Sequence, residues 1–336
     1  MLKDLKSDLK EGRLRGLYVF HGPEDYLKDH YVSEVRGRVA DGDGTFGAMN
    51  VTVFEGVPEA GAFIAALQTV PFFAERRLVI VKDSGFFKAG AKGALDPIEA
   101  LSAIPPTTVA VFVEGAIDKR LKSVSYAKKE GLLVEFGYCG VPELTVWVRN
   151  VLKPSGLRVS DAAAEALARI GLSGMYGLKG ELEKVALYFS GRDAELGLRD
   201  VEGFCVRRLS DKVFDLVDLA VSGDMAGAYS ILTDMLELRE SPFKIMHLLG
   251  RQCRLILEMK GLAEEGVRPG GMASALGMQP FLVGKMERQA KRYGKKMAEG
   301  LVSDGFFLEL AVKTGNMGER AALDAMIADI GRFAGR

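Results

Sequence analysis

Over the first 140 positions, short unbroken apolar runs alternate with segments in which apolar residues recur at helical spacing. Gly16-Leu17-Tyr18-Val19-Phe20 reads as a buried strand ending at His21-Gly22-Pro23, and Tyr26, Val32, Val35 and Val39 then mark one face of a helix. The alternation continues through strand-like Met49–Phe54, helical Pro58–Gln68, strand Arg77–Lys82 and a glycine-rich loop, Phe86–Gly93. Helix Pro97–Ala103, strand Thr108–Val113, helix Lys119–Lys129 and strand Leu132–Phe136 complete it. Short, nearly continuous apolar strands separated by helices predict a parallel sheet covered on both faces.

Beyond Phe136 the strand signal almost vanishes. Pro142–Leu152, Asp161–Ile170, Leu178–Tyr188 and Arg199–Val206 form a first helical group, broken at Pro154-Ser155-Gly156 and Ser173-Gly174. Ser160 or Asp161 suits the N-cap of the second of these helices, and Asp211 begins another run. Longer helices follow over Lys212–Val221, Met225–Glu237, Pro242–Ala263, Gly270–Leu276, Pro280–Tyr293, Met297–Thr314 and Arg320–Phe333. The expected organisation is an αβ domain over 1–140, a small helical domain over 141–208 and a larger helical domain over 209–336, with no internal repeat.

Composition narrows the function classes. The 336 residues are 48% hydrophobic and 27% charged, the profile of a soluble globular protein of two or three domains. Lys plus Arg equal Asp plus Glu at 45 each, so no global field draws the chain to nucleic acid or anionic lipid. The start, Met1-Leu2-Lys3-Asp4-Leu5-Lys6-Ser7-Asp8, alternates charges and does not read as a signal peptide. No apolar run approaches the roughly 20 residues that span a bilayer. Cys139, Cys205 and Cys253 lie far apart without metal-ligand spacing and read as reduced, semi-buried cytosolic thiols.

A strand, a Gly-Pro turn and a helix is the setting of a nucleotide phosphate loop, but the residues that would do the work are missing. The turn reads Gly22-Pro23-Glu24-Asp25-Tyr26-Leu27-Lys28-Asp29. Tyr26 and Leu27 stand where a second glycine is needed, and Asp29 stands at the hydroxyl position when Lys28 is aligned with the motif lysine. Glu24 and Asp25 would face phosphate with like charge, and Pro23 removes a donor. The position where a metal-binding acid would follow a strand reads Val113-Glu114-Gly115-Ala116, with one carboxylate. His21, His30 and His247 have no catalytic motif around them, and no nucleophile elbow, zinc motif or framed carboxylate pair occurs. The expectation is a chain with no catalytic residues, no cofactor and no metal. An ATP-binding motor or nucleotide-binding enzyme of the same fold is the alternative.

One apolar feature escapes periodicity. Val70-Pro71-Phe72-Phe73 falls between the helix ending at Gln68 and the strand beginning at Arg77, where Pro71 stops the helix. Loops run over surfaces, so two adjacent phenylalanines there are either folded back into the core or offered to a partner. The residues alone leave both open. Two groups of cations also stand out: Lys119, Arg120, Lys122, Lys128 and Lys129, and then Lys285, Arg288, Lys291, Arg292, Lys295 and Lys296. Of the second group, 288, 291, 292 and 295 are expected on one helical face. Each reads as a phosphate-attracting patch or as a solvated helix face, and the second reading is favoured for the later group.

Several stretches resemble, in order, the bacterial DNA polymerase III delta subunit family. They include Leu17-Tyr18-Val19-Phe20-His21-Gly22-Pro23-Glu24-Asp25-Tyr26-Leu27, Pro71-Phe72-Phe73-Ala74-Glu75-Arg76-Arg77-Leu78-Val79-Ile80-Val81 and Asp118-Lys119-Arg120-Leu121-Lys122. Later stretches are Glu181–Val185, Phe214–Leu219, Leu248–Leu257, Met278–Val283 and Ala311–Gly315, so the resemblance spans nearly the whole chain. It implies a clamp-loader subunit of the AAA+ type: a RecA-like parallel-sheet domain, a small helical lid and a C-terminal helical collar, without ATP hydrolysis. It also implies a cytoplasmic replication protein that binds the sliding clamp (beta subunit) and holds one clamp interface open. The collar would join the gamma/tau and delta prime subunits in a heteropentamer around primer-template DNA. Phe72 and Phe73 fall where the family carries its clamp-contacting Leu-Phe pair, with Val70 and Pro71 shaping the tip. Lys119, Arg120 and Lys122 become candidates for contact with DNA or a neighbouring subunit, and no membrane partner is implied. A scaffold that joins the assembly without touching the clamp is a further reading.

Overall fold

The computed structural model describes every residue except 41–46, 91–94, 173, 192–194, 206–208, 279 and 334–336. The end of the glycine-rich loop at Gly93, the helix end at Val206, Gln279 and the boundary near 208 therefore lie outside the described residues. The chain divides into two compact units. One holds Met1–Cys139 with Gly174–Gly180, and the other holds Gly140–Ser173 with Glu181–Arg336.

The first unit is built on α1 (Leu2–Glu11), β1 (Leu17–His21), α2 (Asp25–Ala40), β2 (Val51–Glu55), α3 (Ala60–Gln68), β3 (Arg77–Lys82), α4 (Pro97–Ser102), β4 (Thr108–Glu114), α5 (Lys122–Glu130) and β5 (Leu132–Glu135). All five strands are parallel, in the order β2-β3-β4-β1-β5. Side chains alternate between faces with a period of 2, as strand geometry requires. Tyr18, Phe20, Leu78, Ile80, Val109 and Val111 pack with Leu5 and Leu9 of α1 and Val32 and Val35 of α2. Leu17, Val19, Val79, Val81, Ala110 and Phe112 face α3, α4 and α5 through Phe63, Leu67, Leu101 and Val124. With both faces covered, strands β1, β3 and β4 are apolar between their ends, which is why each reads as an unbroken run. The edge strand β2 is only half-buried and keeps Val53 exposed.

Four features depart from the sequence expectations. Helix α1 was not anticipated, because its charged face hides a two-residue apolar stripe; Leu5 and Leu9 are buried at i, i+4. Asp8 anchors the segment that follows, accepting from Arg15 Nε at 2.8 Å and from the Tyr18 hydroxyl at 3.2 Å. Helix α5 starts at Lys122 rather than Lys119, because the Asp118 carboxylate accepts from the backbone N–H of Arg120 at 3.1 Å and holds residues 118–121 as a turn. Residues 47–50 form a short 3₁₀ turn ahead of β2 instead of its first residues.

The second unit carries α6 (Val141–Leu152), the two-residue strand β6 (Arg158–Val159), α7 (Asp161–Gly171), α8 (Met175–Tyr188), whose first turns belong to the first unit, β7 (Glu195–Leu196) and α9 (Leu198–Phe204). Ser160 is the N-cap of α7, its hydroxyl accepting from Ala163 N at 3.2 Å. Pairing of β6 with β7 is the fourth departure; two-residue strands have no period to read. The remaining helices are α10 (Leu209–Ser222), α11 (Met225–Glu237), α12 (Pro242–Glu264), α13 (Pro269–Ala275), α14 (Pro280–Lys291), α15 (Lys295–Lys313) and α16 (Glu319–Phe333). Helix α12 is central, packing on α10, α14, α15 and α16. Its buried Gln252 donates to Gln289 of α14 at 2.8 Å, which pins the two helices in one register.

Truncating Leu5 to Ala should cost about 2–5 kcal/mol, read as a lowered denaturation midpoint. An unchanged midpoint would mean that α1 is not part of the sheet's cover.

Candidate functional site

The carboxyl ends of β1 and β4 carry the turn that resembles a phosphate loop, and the chain itself consumes its donors. Gly22 N–H donates to Gly115 O at 2.9 Å, Glu24 N–H to Phe136 O at 3.1 Å, and Tyr26 N–H to the Glu24 carboxylate at 3.3 Å. Pro23 has no N–H to offer. Gly22 adopts φ 120, and a Cβ there would lie 2.3 Å from Phe136 O, so this glycine serves close backbone packing rather than approach to a ligand. Lys28 is buried and turned inward, its Nζ 3.1 Å from Glu114 O and 2.9 Å from Asp25 Oδ1. Glu24 is also buried, and its desolvated carboxyl is pushed above the usual carboxylate range. Asp29 accepts the hydroxyl of Tyr176, whose ring meets Tyr26 edge-on at 5.3 Å.

Beside this turn lies a buried carboxyl. Glu114 Oε1 accepts from Ser84 N at 2.9 Å and from Ser84 Oγ at 2.5 Å, whereas Oε2 is buried without a hydrogen-bond partner. Burial raises its pKa. A half-satisfied buried carboxyl is suited to the neutral form, not to holding a cation. No group of three or more acidic, His or Cys side chains that could hold a metal occurs among the described residues. Of the histidines, His21 is buried, with its pKa lowered by desolvation, and His30 and His247 are exposed.

At the opposite, amino-terminal end of the sheet, the chain between α3 and β3 forms a projecting tip. Helix α3 is capped at its start by Glu59, whose carboxylate accepts from Gly61 N at 2.8 Å and Ala62 N at 2.6 Å. It ends at Thr69, whose N–H and hydroxyl both return to Ala65 O. Val70 is 80% exposed, Phe72 45% and Phe73 77%. The two rings meet edge-to-face at 4.6 Å. They lie beyond the helix end rather than on it, and Phe73 holds φ 48, a left-handed conformation rare for a bulky residue.

Buried side chains hold this tip from below. Asn50, 2% exposed, accepts from Phe72 N–H through Oδ1 at 2.7 Å and donates to Phe72 O through Nδ2 at 2.8 Å. Arg77 is buried at the start of β3, with Nη1 3.4 Å from Thr69 O and Nη2 2.8 Å from Thr52 Oγ1. Its Nε is buried without a partner. Neither residue stands out in the sequence. The available signal for Asn50 was a polar residue abutting an apolar strand; for Arg77 it was a cation opening a strand otherwise buried.

The cations distribute differently. Arg120 grips Asp118 at 2.9 and 2.7 Å, drawing that carboxyl down to about 2, and Lys119 pairs with Glu135 at 3.0 Å. Lys122 is exposed at the first turn of α5. Because these residues follow β4 in a parallel sheet, they lie at the end opposite the tip, near the phosphate-like turn. The later cluster does not share one helical face: α14 ends at Lys291 and α15 begins at Lys295. Lys291 pairs with Glu287 at 3.0 Å, Lys295 with Glu264 at 2.6 Å, and Lys285 lies over the Phe214 ring at 5.6 Å.

Two family models match, both described as DNA polymerase III delta subunit: one over residues 18–137 and the C-terminal-domain model over 210–330. The chain belongs to the DNA polymerase III delta subunit family. A curated relative, DNA polymerase III subunit delta of Bacillus subtilis, is 29% identical over 98% of this chain and 97% of its own. The solved structure of the Bacillus subtilis DNA clamp loader delta protein superposes with a TM-score of 0.80 at 28% identity, covering 99% of this chain and 100% of that one. The fold is accordingly that of the clamp loader delta protein, a five-stranded parallel-sheet unit with a largely helical remainder.

Two outcomes follow from the turn and the buried carboxyl. Titration with ATP should show no saturable binding in the micromolar range; saturation there would mean that the donors of residues 22–26 are released for phosphate. Glu114 has a raised folded-state pKa, so its contribution to stability is present below about pH 4 and lost as pH rises through the folded value. Glu114→Gln should raise the melting temperature at pH 8 relative to the parent, and the gap should narrow at pH 5. A pH-independent gap would show that Glu114 does not change charge on unfolding.

Proposed function

We propose that this chain is the clamp-loader subunit that binds the sliding clamp through Val70, Pro71, Phe72 and Phe73 and holds one clamp interface open for loading onto primed DNA. The observation that carries the reading is the exposure of two adjacent phenylalanines on a braced tip, in a family whose clamp-contacting pair falls at these positions. Interface anchors are aromatic side chains seated in desolvated pockets, where truncation costs roughly 2 kcal/mol or more each. Burying a phenylalanine contributes about 1.5–3 kcal/mol, a substantial share of the ~12 kcal/mol of a nanomolar complex. Opening needs no chemistry from this chain: a tip that fits the distorted clamp better than the closed one shifts the clamp toward the open form.

The same reading assigns residues 1–140 to the AAA+ domain, 141–208 to the lid and 209–336 to the collar. The collar would meet the gamma/tau and delta prime subunits in a heteropentamer. Phe306, Phe307 and Leu310, exposed together on α15, support a partner for that helix. Primer-template DNA would then lie within the assembly, with Lys122 better placed to reach it than the carboxylate-bound Lys119 and Arg120. No described helix is long and apolar enough to cross a membrane, and the reading places the chain in the cytoplasm.

Replacing both Phe72 and Phe73 by Ala should weaken binding to the sliding clamp by about a thousandfold or more, while assembly with the other loader subunits persists. Clamp affinity unchanged in the double variant would overturn the reading and favour a scaffold that never touches the clamp.

A further inference from the structure

We propose that Asn50 is the positioning residue of the tip: its buried amide holds the backbone of Phe72 in the conformation that presents the two rings. The proposal rests on the clamp-contact reading for its functional consequence, though not for its structural claim.

Phe72 lies in a loop, and both its backbone polar groups are paired with one side chain. Asn50 Oδ1 accepts from its N–H at 2.7 Å and Asn50 Nδ2 donates to its carbonyl at 2.8 Å. A primary amide offers one acceptor and one donor side by side, which is the complement of a peptide unit's own N–H and C=O. The pair thus mimics a two-bond strand contact. Asp at position 50 would set an oxygen against the carbonyl, and Ala would remove both bonds.

The location of Asn50 gives the contact leverage. It closes the 3₁₀ turn that runs directly into β2, so the tip is fastened to the sheet. The next residue in the sequence after Phe72 is Phe73 with φ 48. A left-handed conformation disfavours a phenylalanine by roughly 1–2 kcal/mol, and persists where neighbouring contacts over-determine it. The Asn50 amide fixes the residue before Phe73, and Arg77 reaches back from β3 to hold Thr69 O at the start of the loop. Asn50 itself is 2% exposed and has no surface to give a partner. Its influence on binding must therefore act through the population of the presenting conformation.

That distinction sets the test. With the chain immobilised and its own species' sliding clamp flowing as analyte, losing a positioning residue lowers the fraction of competent tips and appears in the association rate. Losing a direct contact appears mainly in dissociation. Unfolded molecules lower only the saturating signal. Asn50→Ala and Asn50→Asp should each reduce the association rate by about tenfold, with dissociation and saturating signal unchanged. An association rate equal to the parent's in both variants would overturn the proposal. Phe72→Ala with Phe73→Ala provides the separate control: if it leaves clamp binding intact, the clamp reading fails. Amide exchange in the free chain then still decides the position of Asn50. The Phe72 amide should be protected in the parent and exchange faster in either variant; an unprotected Phe72 amide in the parent would overturn the proposal whatever the clamp does.

Discussion

Every buried backbone N–H and C=O must find a partner, and in this chain that requirement shapes both ends of the sheet. At the carboxyl end, the donors of the turn after β1 are taken by Gly115, Phe136 and Glu24, and Lys28 turns inward to Glu114 O. A phosphate loop needs those groups left pointing at a ligand. Here the same strand-turn-helix frame is closed by its own backbone. At the amino end, Thr69 and Phe72 cannot enter the sheet, and the guanidinium of Arg77 and the amide of Asn50 supply what strand pairing would have supplied.

The two ends are therefore specialised by opposite solutions to one constraint. Where donors are taken up within the turn itself, fewer are left pointing outward to meet an anion. Where they are satisfied by buried side chains, the backbone can leave regular structure and still be rigid. Phe72 and Phe73 can thus stand away from the core without the loop collapsing onto it. The cations follow the same logic in weaker form: Arg120 and Lys119 are held by Asp118 and Glu135, so position in the sequence overstates the charge they present.

Much of the architecture was legible because burial on both faces leaves a simple trace. Strands β1, β3 and β4 are apolar at every position between their ends, so composition alone marks them. Helix α1 was not legible, since Leu5 and Leu9 amid alternating charges make too short a stripe, and β6 and β7 are too short to have a period. The cations at 288–295 were expected on one face because their spacing is helical, although the helix expected over Pro280–Tyr293 already stops short of Lys295. At the tip, the aromatic pair behind Pro71 could be seen, and its exposure could not. Asn50 was out of reach for a different reason: it acts across 22 residues on a backbone group, and pairing of that kind leaves no mark in periodicity or composition.

Because Asn50 and Arg77 hold main-chain atoms of the loop, the fold does not depend on which side chains residues 72 and 73 carry. Shape and exposed chemistry are thereby written in different residues. The rings at the tip can be exchanged for others without disturbing the core beneath them. The chain is in effect a fixed handle with a replaceable bit.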